Sequence, residues 1–382
     1  MVSFKVIIKI IIVNIVHSIQ NICNCFFSKK IIIHYKKPVN NNFYNEIMRR
    51  LEFFLPDNKA PILLTTNSFQ YYFLPYPILT FNVTNNFILK LYSFRSNFYN
   101  IDQYHNPKDG WSWFKFTYSQ SLEKINLEKS RSIFRKHIEN LRVNNFTKAY
   151  LFGTGPSLPS AKKHNFNDGF RVVCNTIVKD SDLWKKINPH FIVAADAIYH
   201  FGFSSHARAF RNDLKKRLVE TNTIFVYPSL FHPIVIREFS ELEEKLVPIP
   251  FNYKKEANLN IVDSFFLPAV GNILNCILIP LGCTLSKNVY LFGFDGRAPT
   301  DKLFWANSSD HSYPEYIDEL KISHPAFFSY FVPNDKQDQY VKQVHGDILE
   351  KNLQLAEKMG WEFKMMHKTW TPTLQKRIIN SF

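Results

Sequence analysis

From Lys148 onward the chain repeats one pattern: a short unbroken apolar run, a turn, then a helix-like stretch. The runs are AYLF (149–152), RVVC (171–174), HFIVAA (190–195), TIFVY (223–227) and NVYLF (288–292). Helix-like stretches lie at 182–187, 205–219 and 271–282, and a further helix over 122–143 carries Ile133, Phe134, Ile138 and Leu141 on one face. Runs apolar at every position belong to strands covered on both sides, and their alternation with helices makes the sheet parallel. The pattern predicts an α/β, Rossmann-like, mostly parallel sheet with helices on both faces over 122–382, with a lid-like segment at 298–340. A final amphipathic helix follows, with Leu349, Leu353 and Ala356 inward and Asp347 as its N-cap.

The first 121 residues lack this rhythm and read as an aromatic-rich extension. Residues 38–121 hold no sustained period of 2 or 3.6. SFQYYFLPYPILTFNV (68–83) reads as strand and turn, and Pro75 and Pro77 predict an edge position. Upstream, FKVIIKIIIVNIVHSI (4–19) is interrupted by Lys5, Lys9, Asn14 and His17, short of the roughly 20 mostly apolar residues of a spanning helix. Two readings of residues 1–37 stay open, a peripheral membrane contact and a buried β segment. Lys29, Lys30, Lys36 and Lys37 favour the first.

A net charge of +15 suits an anionic partner, though a chain this rich in Lys, Asn, Ile and Phe also has the composition of an AT-biased coding sequence. No block of consecutive basic residues and no nucleic-acid motif is present, so nucleic acid is not the expected partner. Five scattered cysteines (Cys23, Cys25, Cys174, Cys276, Cys283) argue against a disulfide framework and for a reduced, cytoplasmic compartment, at the inner face of the membrane if the N-terminal contact is made.

In a parallel α/β sheet, ligands bind beyond the carboxyl ends of the strands. The first run is followed there by Gly153-Thr154-Gly155-Pro156-Ser157, where glycines allow close backbone approach to an anion. Leu158 stands where a dinucleotide fingerprint needs its third glycine, and no Gly-Lys-Ser/Thr follows, so the loop is neither that fingerprint nor a Walker A loop. Asn175 ends the second run and Asp196 the third; each suits a base, ribose or sugar hydroxyl, or a cap on the next turn. Gly271 and Asn272 open the helix before NVYLF, and Gly293, Asp295, Gly296 and Arg297 follow that strand. Asp180-Ser181-Asp182 spells D-x-D but reads as an acidic helix start, so no metal is expected there.

Assembled, these residues resemble the bacterial CMP-sialic acid sialyltransferases, and the wider GxGPSL group with flagellin-modifying glycosyltransferases and a hydroxymethylpterin diphosphokinase, over roughly residues 148–368. Thr154 replaces the sialyltransferases' Asn, Val173 their Arg before Cys174-Asn175, Asp196 a further Asn, and Ala269-Val270 the Thr-Ser of a Thr-Ser-Gly turn. Gly293-Phe294-Asp295 is similar to a Gly-Ile-Asp, Arg297 falls where a tyrosine stabilises the leaving phosphate, and His345 matches the catalytic histidine.

The resemblance implies a metal-independent glycosyltransferase moving an acidic sugar from a CMP-activated donor to a glycan or glycolipid of the cell surface, with no cofactor beyond that donor. His345 would be the general base and Arg297 the phosphate stabiliser. Gly153, Thr154, Gly155, Pro156, Ser157, Asn175, Asp196, Gly271, Asn272 and Asp295 would hold the nucleotide and sugar. The alternatives are a pterin-type diphosphokinase using ATP and Mg²⁺, and a non-catalytic nucleotide-binding assembly protein.

Overall fold

The computed structural model describes residues 30–36, 43–57, 60–67, 72, 74–83, 90–92, 94–95, 97–121, 125–253, 257–296, 311–331 and 348–379. The chain forms two compact units, Met1–Leu122 with Lys321–Tyr330, and Glu123–Leu320 with Phe331–Phe382.

The first unit is a small parallel α/β sheet of its own. Strands β1 (Ile31–Tyr35), β2 (Ile62–Thr65), β3 (Ile78–Phe81) and β4 (Phe98–Asn100) lie in the order β2-β1-β3-β4, each neighbour parallel. Helices α1 (Phe43–Phe54) and α2 (Asp109–Gln120) supply a dense aromatic core, with Phe54 stacked on Trp113 at 5.1 Å.

Two expectations change here. Ile31, Ile32 and Ile33 are buried in an interior strand, so this stretch is a β segment and not part of a membrane contact; residues 1–29 lie outside the described residues. Pro77 does not mark an edge, because β3 pairs on both sides. The proline sits one residue before the strand, where its missing N–H costs no ladder bond and its carbonyl still accepts from Ile32 N–H at 3.0 Å. Among the described residues no helix is long and apolar enough to cross a membrane.

The second unit is an α/β Rossmann-like domain built on one seven-stranded parallel sheet. Its strands are β5 (Lys148–Phe152), β6 (Gly169–Cys174), β7 (Phe191–Val193), β8 (Ile224–Pro228) and β9 (Leu246–Ile249). After the short pair β10 (Phe251–Asn252) and β11 (Leu267–Pro268) come β12 (Asn288–Phe292) and β13 (Glu362–Met365). The order is β13-β12-β5-β6-β7-β8-β9. Alternate residues serve opposite faces. Ala149, Leu151, Val172, Cys174, Val193, Val226, Val289 and Leu291 join one core with Phe134 and Ile138 of α3 (Leu127–Arg142), and with the helices ending at Leu285 and Lys358. On the other face Tyr150 and Phe152 pack on Phe166, and Phe225 and Tyr227 on Phe201.

Local chemistry sets the helix starts. Asn126 caps α3 by accepting from Lys129 N–H at 2.9 Å. Asp180 caps α4 (Ser181–Ile187) through the amides of Asp182 and Leu183, which is the use of the D-x-D carboxylate. Ser204 caps α5 (Ser205–Glu220). Helix Ile348–Lys358 buries Leu349, Leu353 and Ala356, whereas the expected cap Asp347 lies outside the described residues.

The described part of the lid-like segment is anchored. Within the second unit, Thr176 Oγ1 donates to the His311 carbonyl, Lys179 Nζ to that of Ser312, and Tyr313 OH to Asp213 at 2.8 Å. Within the first unit, His324 Nδ1 lies 2.7 Å from Asp109 Oδ2, and Arg50 donates to the Ser323 carbonyl.

Candidate functional site

From β5 the chain winds outward through β6, β7, β8 and β9, then returns to place β12 on the other flank of β5. The direction of winding therefore reverses between β5 and β12. In an open parallel sheet this is where the loops at the carboxyl ends diverge and leave room for a ligand. The Gly153–Ser157 loop leaves β5 at that point, and Gly293–Gly296 leaves β12.

The two loops are bonded to each other. Gly153 N–H donates to the Phe292 carbonyl and Gly155 N–H to that of Gly293, both at 2.8 Å, extending the ladder past the strands. The glycines are needed for this approach. A Cβ on Gly293, whose φ is +72°, would stand 2.2 Å from the Gly153 carbonyl, and one on Gly155 would stand 2.1 Å from Asp295 Oδ2. The space beside Gly155 is thus held by the protein's own carboxylate. Ser157 N–H reaches both Asp295 oxygens at 3.2 Å, and Ser157 Oγ donates to Oδ2 at 2.8 Å.

A histidine that the sequence reading passed over completes the cluster. His367 Nε2 lies 2.7 Å from Ser157 Oγ and accepts from Gly293 N–H at 2.7 Å, while Nδ1 lies 2.8 Å from the Lys368 carbonyl. A carbonyl only accepts, so the proton sits on Nδ1 and Nε2 carries the lone pair. The available signal was positional: His367 follows β13 as the other site residues follow their strands.

Of the remaining expected residues, Asn175 and Asp196 follow strands of the same sheet at the same end. Asn175 follows β6 with φ +52°, a conformation uncommon for a non-glycine residue, and its buried Oδ1 has no hydrogen-bond partner among the described residues. Asp196 follows β7 and spends Oδ1 on the amides of Ile198 and Tyr199, capping a wide π-type turn. Gly271 is exposed; Asn272 accepts from Asn275 N–H at 3.0 Å, and Asn275 is buried with an unpartnered Oδ1. Thr154 is half-buried, and Pro156 is exposed. Arg297 and His345 lie outside the described residues. Among the described residues no group of three His, Cys, Asp or Glu side chains could hold a metal.

No family model, curated protein or solved structure matches this chain.

Proposed function

We propose that the second unit binds a cytidine-monophosphate donor at the carboxyl ends of β5 and β12, and that the protein transfers its acidic sugar to a glycan acceptor. The observation that supports this reading is Asn175, held in a strained conformation at the strand edge next to β5 with a buried amide oxygen left unpaired. Such a position costs stability unless a ligand N–H or O–H completes it. The exocyclic amine of cytosine is a donor of that kind, and uracil offers a carbonyl at the same position.

The phosphate would take the Ser157 N–H and hydroxyl, both charge-assisted donors to an anion. By the resemblance of the motifs, His345 would remove the proton from the acceptor hydroxyl and Arg297 would neutralise the departing phosphate. The acceptor oxygen then forms its bond to the anomeric carbon as the bond to the phosphate oxygen breaks.

Thermal denaturation in the presence of CMP, UDP, GDP and ATP tests the reading. CMP at 100 times its Kd stabilises the protein by about 2.7 kcal/mol. Turnover of a CMP-sugar in EDTA completes the case. Stabilisation by ATP with Mg²⁺ and none by CMP would replace it with the diphosphokinase reading.

A further inference from the structure

The Asp295 carboxylate occupies a place in the second unit's strand-end cluster where a backbone N–H and a side-chain hydroxyl converge on an anion. We propose that Asp295 is a resident competitor for phosphate: its carboxylate fills the anion position on Ser157, and a ligand phosphate enters by displacing it. This rests on the second unit's being a nucleotide site, and it reverses the role first expected for Asp295, from nucleotide contact to occupant.

Three features carry the inference. First, the geometry is that of an anion complex. Both carboxylate oxygens face Ser157 N–H, Oδ2 takes the hydroxyl, and the missing Cβ of Gly155 provides the room, since Oδ2 lies 2.1 Å from where that atom would be. A phosphate oxygen accepts the same two bonds.

Second, exchange for phosphate leaves no donor of the cluster stranded. The Ser157 hydroxyl carries one proton and gives it to Asp295 Oδ2 at 2.8 Å, while the single lone pair of His367 Nε2 is taken by Gly293 N–H. When phosphate replaces the carboxylate, the Ser157 N–H and hydroxyl pass to phosphate oxygens and the imidazole keeps Gly293 N–H.

Third, the side chain can leave without its backbone. The Asp295 carbonyl accepts from Trp370 N–H at 2.6 Å, and the Phe294 carbonyl from Thr369 Oγ1 at 2.7 Å, so the loop is pinned independently of the carboxylate. The carboxylate is 14% exposed, next to solvent into which it can swing. Carboxylate and phosphate cannot share the position, because like charges in contact repel.

The experiment is calorimetric titration of the full chain with inorganic phosphate, CMP and cytidine. It compares wild type, Asp295→Asn and the double variant Asp295→Asn/Ser157→Ala. Asparagine keeps the size and an acceptor oxygen while removing the charge. Phosphate and CMP should bind Asp295→Asn on the order of tenfold tighter than wild type, with cytidine unchanged and the gain lost in the double variant. Tighter phosphate with CMP no better than phosphate upholds the competitor and removes the cytidine reading. Equal or weaker phosphate binding by a folded Asp295→Asn overturns the proposal. Should that variant not fold, the Ser157 amide resonance of the wild type decides: it shifts on phosphate titration if the carboxylate is displaced, and a resonance that does not move overturns the proposal.

Discussion

Ser157 and His367 stand 210 residues apart in the chain and 2.7 Å apart in space. The contact ties the loop after β5 to the stretch that follows β13, and the same imidazole nitrogen holds Gly293 N–H. His367→Ala removes the acceptor from that partly buried amide. The expected loss is about 1–3 kcal/mol of stability, read as a lower urea midpoint with an unchanged slope. A variant with the wild-type midpoint would show that the imidazole does not hold these loops.

The sequence assigns Gly155 to close backbone approach by an anion. The structure changes that expectation, because the first atom met is Asp295 Oδ2 and the second is the Gly293 carbonyl at 2.7 Å. Gly155→Ala should therefore destabilise the protein itself. Asp295→Ala in the same chain should recover part of the loss, giving a coupling of about 0.5–3 kcal/mol in a double-mutant cycle. Strict additivity of the two substitutions would contradict the arrangement.

Asn175 separates binding from folding. Its Oδ1 makes no hydrogen bond among the described residues, and its φ of +52° suits glycine better than any branched side chain. Asn175→Gly is expected to leave the melting temperature unchanged or raise it, while weakening CMP binding by about tenfold for one lost hydrogen bond to the ligand. Unaltered CMP affinity would remove Asn175 from the site.

The second unit was legible because β5, β6, β7, β8 and β12 are buried at nearly every position, which leaves apolar runs in the sequence. The edge strands escaped for physical reasons. In β13 the exposed Glu362 and half-buried Lys364 alternate with buried Phe363 and Met365, so no apolar run forms, and His367 at its end went unnoticed. In β9 Pro248 interrupts the run, which an edge strand tolerates. The first unit hid its sheet in strands of three to five residues. The partnership of Ser157 with Asp295 and His367 depends on sheet order, which no local pattern encodes.

The first unit holds a buried ionic cluster with no counterpart in the sequence reading. Asp109 Oδ2 lies 3.4 Å from Arg50 Nη1 and 2.7 Å from His324 Nδ1, and all three side chains are at most 3% exposed. Arg50 keeps Glu46 at 2.8 Å and the Ser323 carbonyl when Asp109 is removed, but it loses its buried carboxylate, and so does His324. Asp109→Ala is thus expected to cost about 1–3 kcal/mol. Hydrogen exchange should show the loss in the amides of α1 and α2, and protection as strong as wild type in those helices would refute it. His324→Ala acts through the same cluster, as a loss of stability.

A buried pair in the second unit makes stability depend on pH. The Tyr227 hydroxyl lies 2.8 Å from His232 Nδ1, and burial lowers the His232 pKa from 6.5 to about 4. The unfolded chain then takes up a proton near pH 6.5 while the folded one resists until about pH 4, so the unfolded state binds more protons in between. Stability from this group is complete above pH 6.5 and is lost as the pH falls towards 4, by about 2–3 kcal/mol. His232→Asn keeps a hydrogen-bonding side chain for Tyr227 but does not titrate. Urea unfolding at pH 7 and pH 4.5 should show a smaller acid loss in the variant than in the wild type, by about 2 kcal/mol. Equal losses in the two proteins would mean that His232 is already protonated in the folded state at pH 4.5, and that burial does not hold it neutral.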